Sequence, residues 1–381
     1  MTVRVLHIIT GLGTGGAETM LFRLISTLES SAFRNSVVSL MDEGTFGPLL
    51  RQAGVPVRCL ALGHSRAGPR SLLQLWKLIG EVNPDVILAW MYHANLAATL
   101  SGLGRRRRVP VIWGVRRSLE GMEKEGRSTR LALAAGKALS FQPSRIIYNS
   151  RVSARQHEAY GYPADKTVVI PNGFDTEHFR PDPVLRTRVR AELGIDEATP
   201  LVGVVGRYHP AKDHENFLRA AHLVAREHPE VRFLLAGRET DTAAALQRLI
   251  ADLELSGRVH AIGERRDVPA IMCGLDVLVS SSRTEGFPNA VGEAMACGVP
   301  CVVTDVGDSA WIVADTGRVV SPGAPAALAR GIGELLHAGV AARRHFGAAA
   351  RERVLANLSL EEVGRCYESL LLDYEHSPTN N

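Results

Sequence analysis

Short apolar runs alternate along the whole chain with longer stretches whose apolar residues recur at helical spacing. Residues 3–9 form the first such run, which closes on Gly11-Leu12-Gly13, and a helical stretch follows over 16–28. Further runs at 37–40, 55–60, 85–90, 109–113, 145–149 and 167–170 read as strands, and Leu72, Leu75, Trp76 and Ile79 mark one face of a helix between them. The pattern then begins again. Strands are expected at 200–206, 231–236, 259–262, 276–280 and 300–304, and helices at 213–226, 242–253, 325–338, 341–357 and 360–374. The last residues, 377–381, are expected to fray. Apolar strands without polar alternation, separated by helices, predict parallel sheets covered on both faces.

Pro171, Asn172, Gly173, Pro181 and Pro183 cluster where the pattern restarts, which is linker chemistry. A chain of 381 residues is also too long for one ordinary core. The expectation is an α/β protein of two doubly wound domains with a cleft between them. The domains cover 1–172 and 173–359, and a last helix over 360–376 returns to the first. In such sheets ligands sit outside the carboxyl ends of strands, so the useful residues should follow strands.

Composition narrows the function classes. An apolar fraction of 45% with 22% charged residues excludes a disordered or fibrous chain. The net charge of +4 suits anionic ligands, and no zinc-finger spacing or aromatic-basic RNA-binding motif accompanies it, so no nucleic-acid partner is expected. Cys59, Cys273, Cys297, Cys301 and Cys366 are odd in number and form no C-x-x-C, which favours a reducing cytoplasm and argues against a disulfide framework. No signal peptide and no run of about 18 apolar residues is visible.

Two segments of the second half carry candidate chemistry. Arg207 stands just past the strand at 200–206, and Lys212 follows before a helix; together they supply a fork and a point charge for a diphosphate. After the strand at 276–280 comes Glu285-Gly286-Phe287-Pro288-Asn289-Ala290-Val291-Gly292-Glu293. Gly286 and Pro288 favour a turn into a helix over 289–297 whose free N–H groups form an anion site. Glu285 precedes that helix and can accept from sugar hydroxyls. Glu293 lies one turn inside it among apolar residues, where a ribose diol is a suitable donor pair.

These segments resemble the family 4 glycosyltransferases of the GT-B fold. Glu285 and Glu293 resemble the family's E-x7-E motif, and Gly206-Arg207 with Lys212 its diphosphate-binding pair. Ile170-Pro171-Asn172-Gly173-Phe174-Asp175 resembles its linker signature, and Gly11 to Glu18, with Gly15-Gly16-Ala17-Glu18, its first-domain glycine loop. The resemblance implies two Rossmann-like domains, the first for the acceptor and the second for the donor. It implies retaining transfer from a nucleoside-diphosphate sugar, with UDP favoured, without metal or other cofactor. Arg207 and Lys212 would hold the diphosphate, Glu285 with Gly286, Phe287, Pro288 and Asn289 the sugar, and Glu293 the ribose. Arg265, Arg266 and Val268 would lie at the base, and Gly15 and Gly16 near the donor phosphate. Glu18, Arg116 and Arg117 fall on the acceptor side. Many members carry a histidine after the strand at 109–113; here Gly114-Val115-Arg116-Arg117 stands there, and His93 or Arg117 is open as its replacement. No D-x-D triplet occurs, in keeping with a leaving group met by cations and a helix N-terminus.

Three other readings compete. Gly11-x-Gly13-x-x-Gly16 with Asp42 fits a dinucleotide fingerprint, although Glu18 would place a negative charge where pyrophosphate docks. A non-hydrolysing sugar-nucleotide epimerase shares the two-domain pattern, and a nucleotide-sugar-binding scaffold would not be an enzyme at all. Separately, Arg105-Arg106-Arg107-Arg108, followed by Arg116, Arg117, Lys124, Arg127 and Arg130, forms a basic stretch suited to anionic headgroups and a lipid-linked acceptor, with apolar surface from 131–139.

Overall fold

The computed structural model describes residues 2–28, 31–62, 69–102, 108–124 and 126–374. The tail expected to fray and Arg105, Arg106 and Arg107 lie outside the described residues. The chain resolves into two compact units, Met1–Gly173 with Leu360–Asn381, and Phe174–Ser359.

The first unit is built on seven parallel strands: β1 (Val3–Ile9), β2 (Phe33–Ser39), β3 (Val57–Cys59), β4 (Val86–Trp90), β5 (Val111–Val115), β6 (Arg145–Tyr148) and β7 (Thr167–Val169). Their order across the sheet is β3-β2-β1-β4-β5-β6-β7. Every residue of β4 and of β5 is buried, as expected of strands covered on both faces. The order reverses between β1 and β4, which makes the carboxyl ends of those strands the switch point where such sheets take ligands. Helix Leu360–Leu372 belongs to this unit and packs on helix Gly16–Thr27; a Cβ on Gly364 would lie 2.7 Å from Thr27 Cγ2.

The second unit repeats the plan with six parallel strands: β8 (Leu201–Val205), β9 (Arg232–Ala236), β10 (Val259–Ala261), β11 (Val277–Ser280), β12 (Cys301–Thr304) and β13 (Arg318–Val320), ordered β10-β9-β8-β11-β12-β13. Its switch point lies between β8 and β11. The two doubly wound sheets match the predicted fold class. The sequence pattern missed β13, because its middle residue Val319 is exposed, its other two are only partly buried, and the strand is too short for an apolar run.

Helix Asn289–Ala296 is seated by one aromatic key. Phe174, fully buried, stacks on Phe287 with ring centroids 6.1 Å apart. Its Cζ lies only 2.1 Å from where a Cβ on Gly292 would be. The ring thus fills the space a side chain at 292 would need, and the Phe174 N–H donates to Leu358 O at 2.8 Å to hold that ring in register. Gly292→Val is expected to overpack this contact and to destabilise the chain by about 1–3 kcal/mol. Urea unfolding measures it, and an unchanged midpoint contradicts the packing account.

Three buried histidines set the acid limit. Trp90 Nε1 donates to His7 Nδ1 at 3.3 Å, so His7 carries its proton on Nε2 and donates to Asn35 Oδ1 at 3.0 Å. His157 donates from Nδ1 to Ser153 O at 2.8 Å and accepts at Nε2 from Tyr92 Oη, also at 2.8 Å. His214 packs against Tyr208. Burial pushes each imidazole down to about 4 from 6.5. Between those values the unfolded chain binds more protons than the folded one, so stability falls as pH drops through the window. At pH 5 these histidines alone should add nearly three protons to the uptake on unfolding. Calorimetry in buffers of differing ionisation heat reads that number, and an uptake near zero is the contrary result.

Candidate active site

The loops after β8 and β11 meet at the switch point of the second sheet. Lys212 ends a single 3-10 turn, Pro210–Lys212, and its Nζ lies 2.6 Å from Glu285 Oε1. Ser282 Oγ donates to the same carboxylate oxygen at 2.7 Å. Three further bonds fasten one loop to the other. Ser281 Oγ donates to Lys212 O at 2.9 Å, the Arg283 N–H to Ala211 O at 2.8 Å, and Arg283 Nε to Asp213 Oδ2 at 2.8 Å. Asp213 is buried, adopts a left-handed φ of 49°, and caps helix His214–Glu227 through the Asn216 N–H. The turn that presents Lys212 is therefore fixed from both sides.

Arg207 extends beyond β8 as an exposed side chain with no ion pair among the described residues. Lys212 and Glu285 are half-buried or deeper, with side chains 31% and 11% exposed, so their attraction is screened less than that of a surface pair. Lys212 carries three donors, of which Glu285 takes one. The segment Glu285–Pro288 runs into helix Asn289–Ala296, with Pro288 at its N-cap and Glu293 half-buried inside it. The loop after β12 supports this segment from behind. The Asp308 N–H donates to Gly286 O at 3.1 Å, and Gly307, at φ 55°, approaches so closely that a Cβ would lie 2.5 Å from Glu285 O. Only glycine fits there.

Arg265 already binds two carboxylates. Its guanidinium pairs with Glu192 and, through Nε, with Asp267 Oδ1 at 2.9 Å. Arg266 is exposed, and Val268 begins helix Val268–Gly274.

In the first unit Gly15 is the N-cap of helix Gly16–Thr27, with Glu18 in its first turn. Burial pushes the Glu18 carboxyl above its usual range, opposed by its own backbone N–H. His93 lies at the start of helix Met91–Gly102; burial lowers its imidazole, and the Ser128 backbone partly offsets this. Arg116 is held inside the unit. Its guanidinium lies 4.7 Å over the Trp90 ring and donates to Asn172 Oδ1 and, at 2.6 Å, to Tyr367 Oη. Arg117 follows β5 half-buried, and its carbonyl accepts from Ser153 Oγ at 2.6 Å.

The structure thus joins Lys212 to Glu285 directly and leaves Arg207 exposed beyond the same strand end. Sequence reasoning missed Ser282, the Asp213–Arg283 pair and Gly307. The signals available were two serines directly after β11 and a glycine after β12. Among the described residues no helix is long and apolar enough to cross a membrane.

Comparisons with known proteins fit this layout. Residues 14–178 match the family described as Glycosyltransferase Family 4, and residues 199–338 match Glycosyl transferases group 1. The lipopolysaccharide core biosynthesis mannosyltransferase LpsB of Rhizobium meliloti is 33% identical over 40% of this chain and 46% of its own. The chain therefore spans under half the length of that relative. A GDP-mannose-dependent alpha-(1-6)-phosphatidylinositol monomannoside mannosyltransferase of Mycolicibacterium smegmatis is 29% identical over 70% of this chain and 71% of its own. The crystal structure of HepE from Anabaena, in complex with UDP, superposes with a TM-score of 0.83, covering 97% of this chain and all of the other at 24% identity. By sequence and by fold, this chain belongs to the group 1, family 4 glycosyltransferases, with the paired Rossmann-like sheets of the GT-B architecture.

Proposed function

We propose that the chain transfers a sugar, with retention at the anomeric carbon, from a nucleoside-diphosphate donor to a hydroxyl of a polysaccharide or lipid-linked acceptor. The observation that carries this is the 2.6 Å Lys212–Glu285 contact at the carboxyl ends of β8 and β11. It sets a phosphate-binding cation beside a carboxylate able to bind sugar hydroxyls. Lys212 directs its other donors, and Arg207 its fork, at the diphosphate. The bond from the anomeric carbon to the phosphate oxygen breaks, and the acceptor oxygen bonds to that carbon from the same face. The acceptor proton passes to the departing phosphate. Charge on the leaving group is met by Arg207, Lys212 and the amides that open helix Asn289–Ala296, so this step calls for no metal. Glu285 orients the sugar with Gly286, Phe287, Pro288 and Asn289, while Glu293 takes the ribose. UDP is the favoured nucleotide, a reading supported by the likeness to HepE, which was crystallised with UDP and with UDP-glucose. The residues Glu18, Arg116 and Arg117 are assigned to the acceptor side, and His93 is the catalytic candidate beside the donor sugar.

Removing Lys212 strips a cation from the leaving group and leaves Glu285 with the Ser282 hydroxyl but without its cationic partner. Lys212→Ala is expected to lower kcat/KM by about 100- to 1000-fold, and Glu285→Gln to lower it while the fold persists. Thermal-shift screening of UDP- and GDP-sugars, with Arg207→Ala as control, identifies the donor for these assays. Full turnover in Lys212→Ala, or equal donor-induced shifts in wild type and Arg207→Ala, refutes the site.

The acceptor reading includes contact with an anionic membrane surface. Helix Arg127–Leu139 buries Ala132, Leu133 and Gly136 and turns Arg127, Arg130 and Lys137 outward. Leu131 is 70% exposed and Phe141 60%, which adds apolar surface to that basic face. Sedimentation with phosphatidylserine vesicles is expected at low salt, declining as salt rises and weakening in Arg127→Glu/Arg130→Glu. Absence of binding at low salt removes the membrane from the proposal.

A further inference from the structure

A second cluster lies in the second unit, where two helices end. Helix His214–Glu227 finishes at Glu227, with His228 as its C-cap, and helix Pro325–His337 finishes at His337. The two helices pack together along the sheet. Glu227, His228 and His337 each offer one ligand atom, and the three atoms lie within 4.8 Å of one another. The imidazole rings stand 4.4 Å apart, centroid to centroid.

Each ring has its Nδ1 beside an acceptor. His337 Nδ1 donates to Gly333 O at 2.9 Å, and His228 Nδ1 lies 3.7 Å from Glu230 Oε1. The bonded carbonyl at His337 Nδ1 holds the proton there and leaves that ring's lone pair on Nε2, the arrangement that orients metal-binding histidines. His228 Nε2 is buried with no hydrogen-bond partner. A buried ring nitrogen without a partner, in a residue clustered with a second imidazole and a carboxylate, marks an incomplete polar site. The carbonyl ends of both helices add partial negative charge at the same place. Opposing them are the exposed Arg226 and Arg330; Arg318 is neutralised by Glu334 at 2.6 Å.

We infer that Glu227, His228 and His337 bind a zinc-class divalent transition-metal ion that staples the two helix ends. Two imidazoles and a carboxylate suit Zn2+ over the oxygen-seeking Mg2+ or Ca2+, and three protein ligands leave a fourth position for water. Tetrahedral zinc ligands stand about 3.3 Å apart, so the cluster must contract slightly, which the exposed Glu227 and His337 side chains permit by rotation. The ion has no part in sugar transfer, because Glu227 and His228 stand at the carboxyl end of helix His214–Glu227, about 20 Å along its axis from the amino end that Lys212 precedes.

The test uses the full chain, stripped with EDTA, desalted and titrated with ZnCl2 by calorimetry against a competing chelator. One equivalent should bind and raise Tm. Co2+ in its place should give the visible bands of a low-symmetry four-coordinate ion. His228→Gln and His337→Gln should each weaken binding by at least about tenfold, while His178→Gln, at an exposed histidine elsewhere, should not. No uptake by the wild type, or equal uptake by the double variant His228→Gln/His337→Gln, overturns the inference. Glycosyl transfer is assayed in parallel with and without EDTA. Loss of transfer on chelation would count against the metal-free chemistry proposed above, whereas the zinc titration judges this cluster alone.

Discussion

The chemistry proposed for the second unit depends on holding a lysine and a glutamate 2.6 Å apart at the ends of two neighbouring strands. Neither side chain could hold that position by itself. A long lysine loses about 2 kcal/mol of rotamer freedom when fixed, and a surface ion pair returns less than that. The fold supplies the difference through the backbone. Asp213 and Arg283 clasp the two loops, Ser281 and Ala211 add bonds to and from main-chain atoms, and Gly307 lets the loop after β12 press on the carbonyl of Glu285. Lys212 and Glu285 are thereby placed before any ligand arrives, which is the condition for electrostatic catalysis to act without reorganisation.

The same logic explains the seating of the following helix. Asn289–Ala296 is short and has little stability of its own. Its buried residues Val291, Ala294, Met295 and Ala296 anchor one face, and Phe174 locks the other through the gap at Gly292. Phe174 comes from the turn that follows Asn172-Gly173, so the segment read in the sequence as a linker is also a packing element. The N-G-F-D stretch reads as linker chemistry, which does not disclose the ring's destination.

What the sequence made legible was whatever repeats locally. Fully buried strands leave continuous apolar runs, so β4, β5, β8, β11 and β12 were found within two residues of their ends. β2 was found late, because Arg34, Asn35 and Ser36 interrupt its first half, and β13 was missed since one side of it stays partly exposed. Of the candidate site, Arg207, Lys212 and Glu285 stand after strands and Glu293 inside the next helix, as the pattern predicts, and the structure joins Lys212 to Glu285. Their supports were not legible, because Asp213 meets Arg283 across 70 residues of chain, and no local pattern encodes such a meeting. Arg265 shows the converse: a basic residue well placed by sequence proves to be paired with Glu192, from a helix the periodicity had not disclosed.

Arg116 is the sharpest case of a residue whose type was visible and whose setting was not. Its guanidinium rests on the Trp90 ring and donates to two neutral oxygens, from Asn172 and Tyr367, and burial lowers its pKa from the usual arginine value. The indole of Trp90 donates to His7, which must keep a lone pair on Nδ1 to accept. Protonating His7 would remove that acceptor and put a positive ring 6.2 Å from the indole already stacked under Arg116. Burial, which pushes His7 down to about 4, therefore preserves the Trp90 bond. Through Tyr367 the same arginine fixes helix Leu360–Leu372 to the carboxyl end of β5, so that helix is tied into the first unit by a buried, hydrogen-bonded charge.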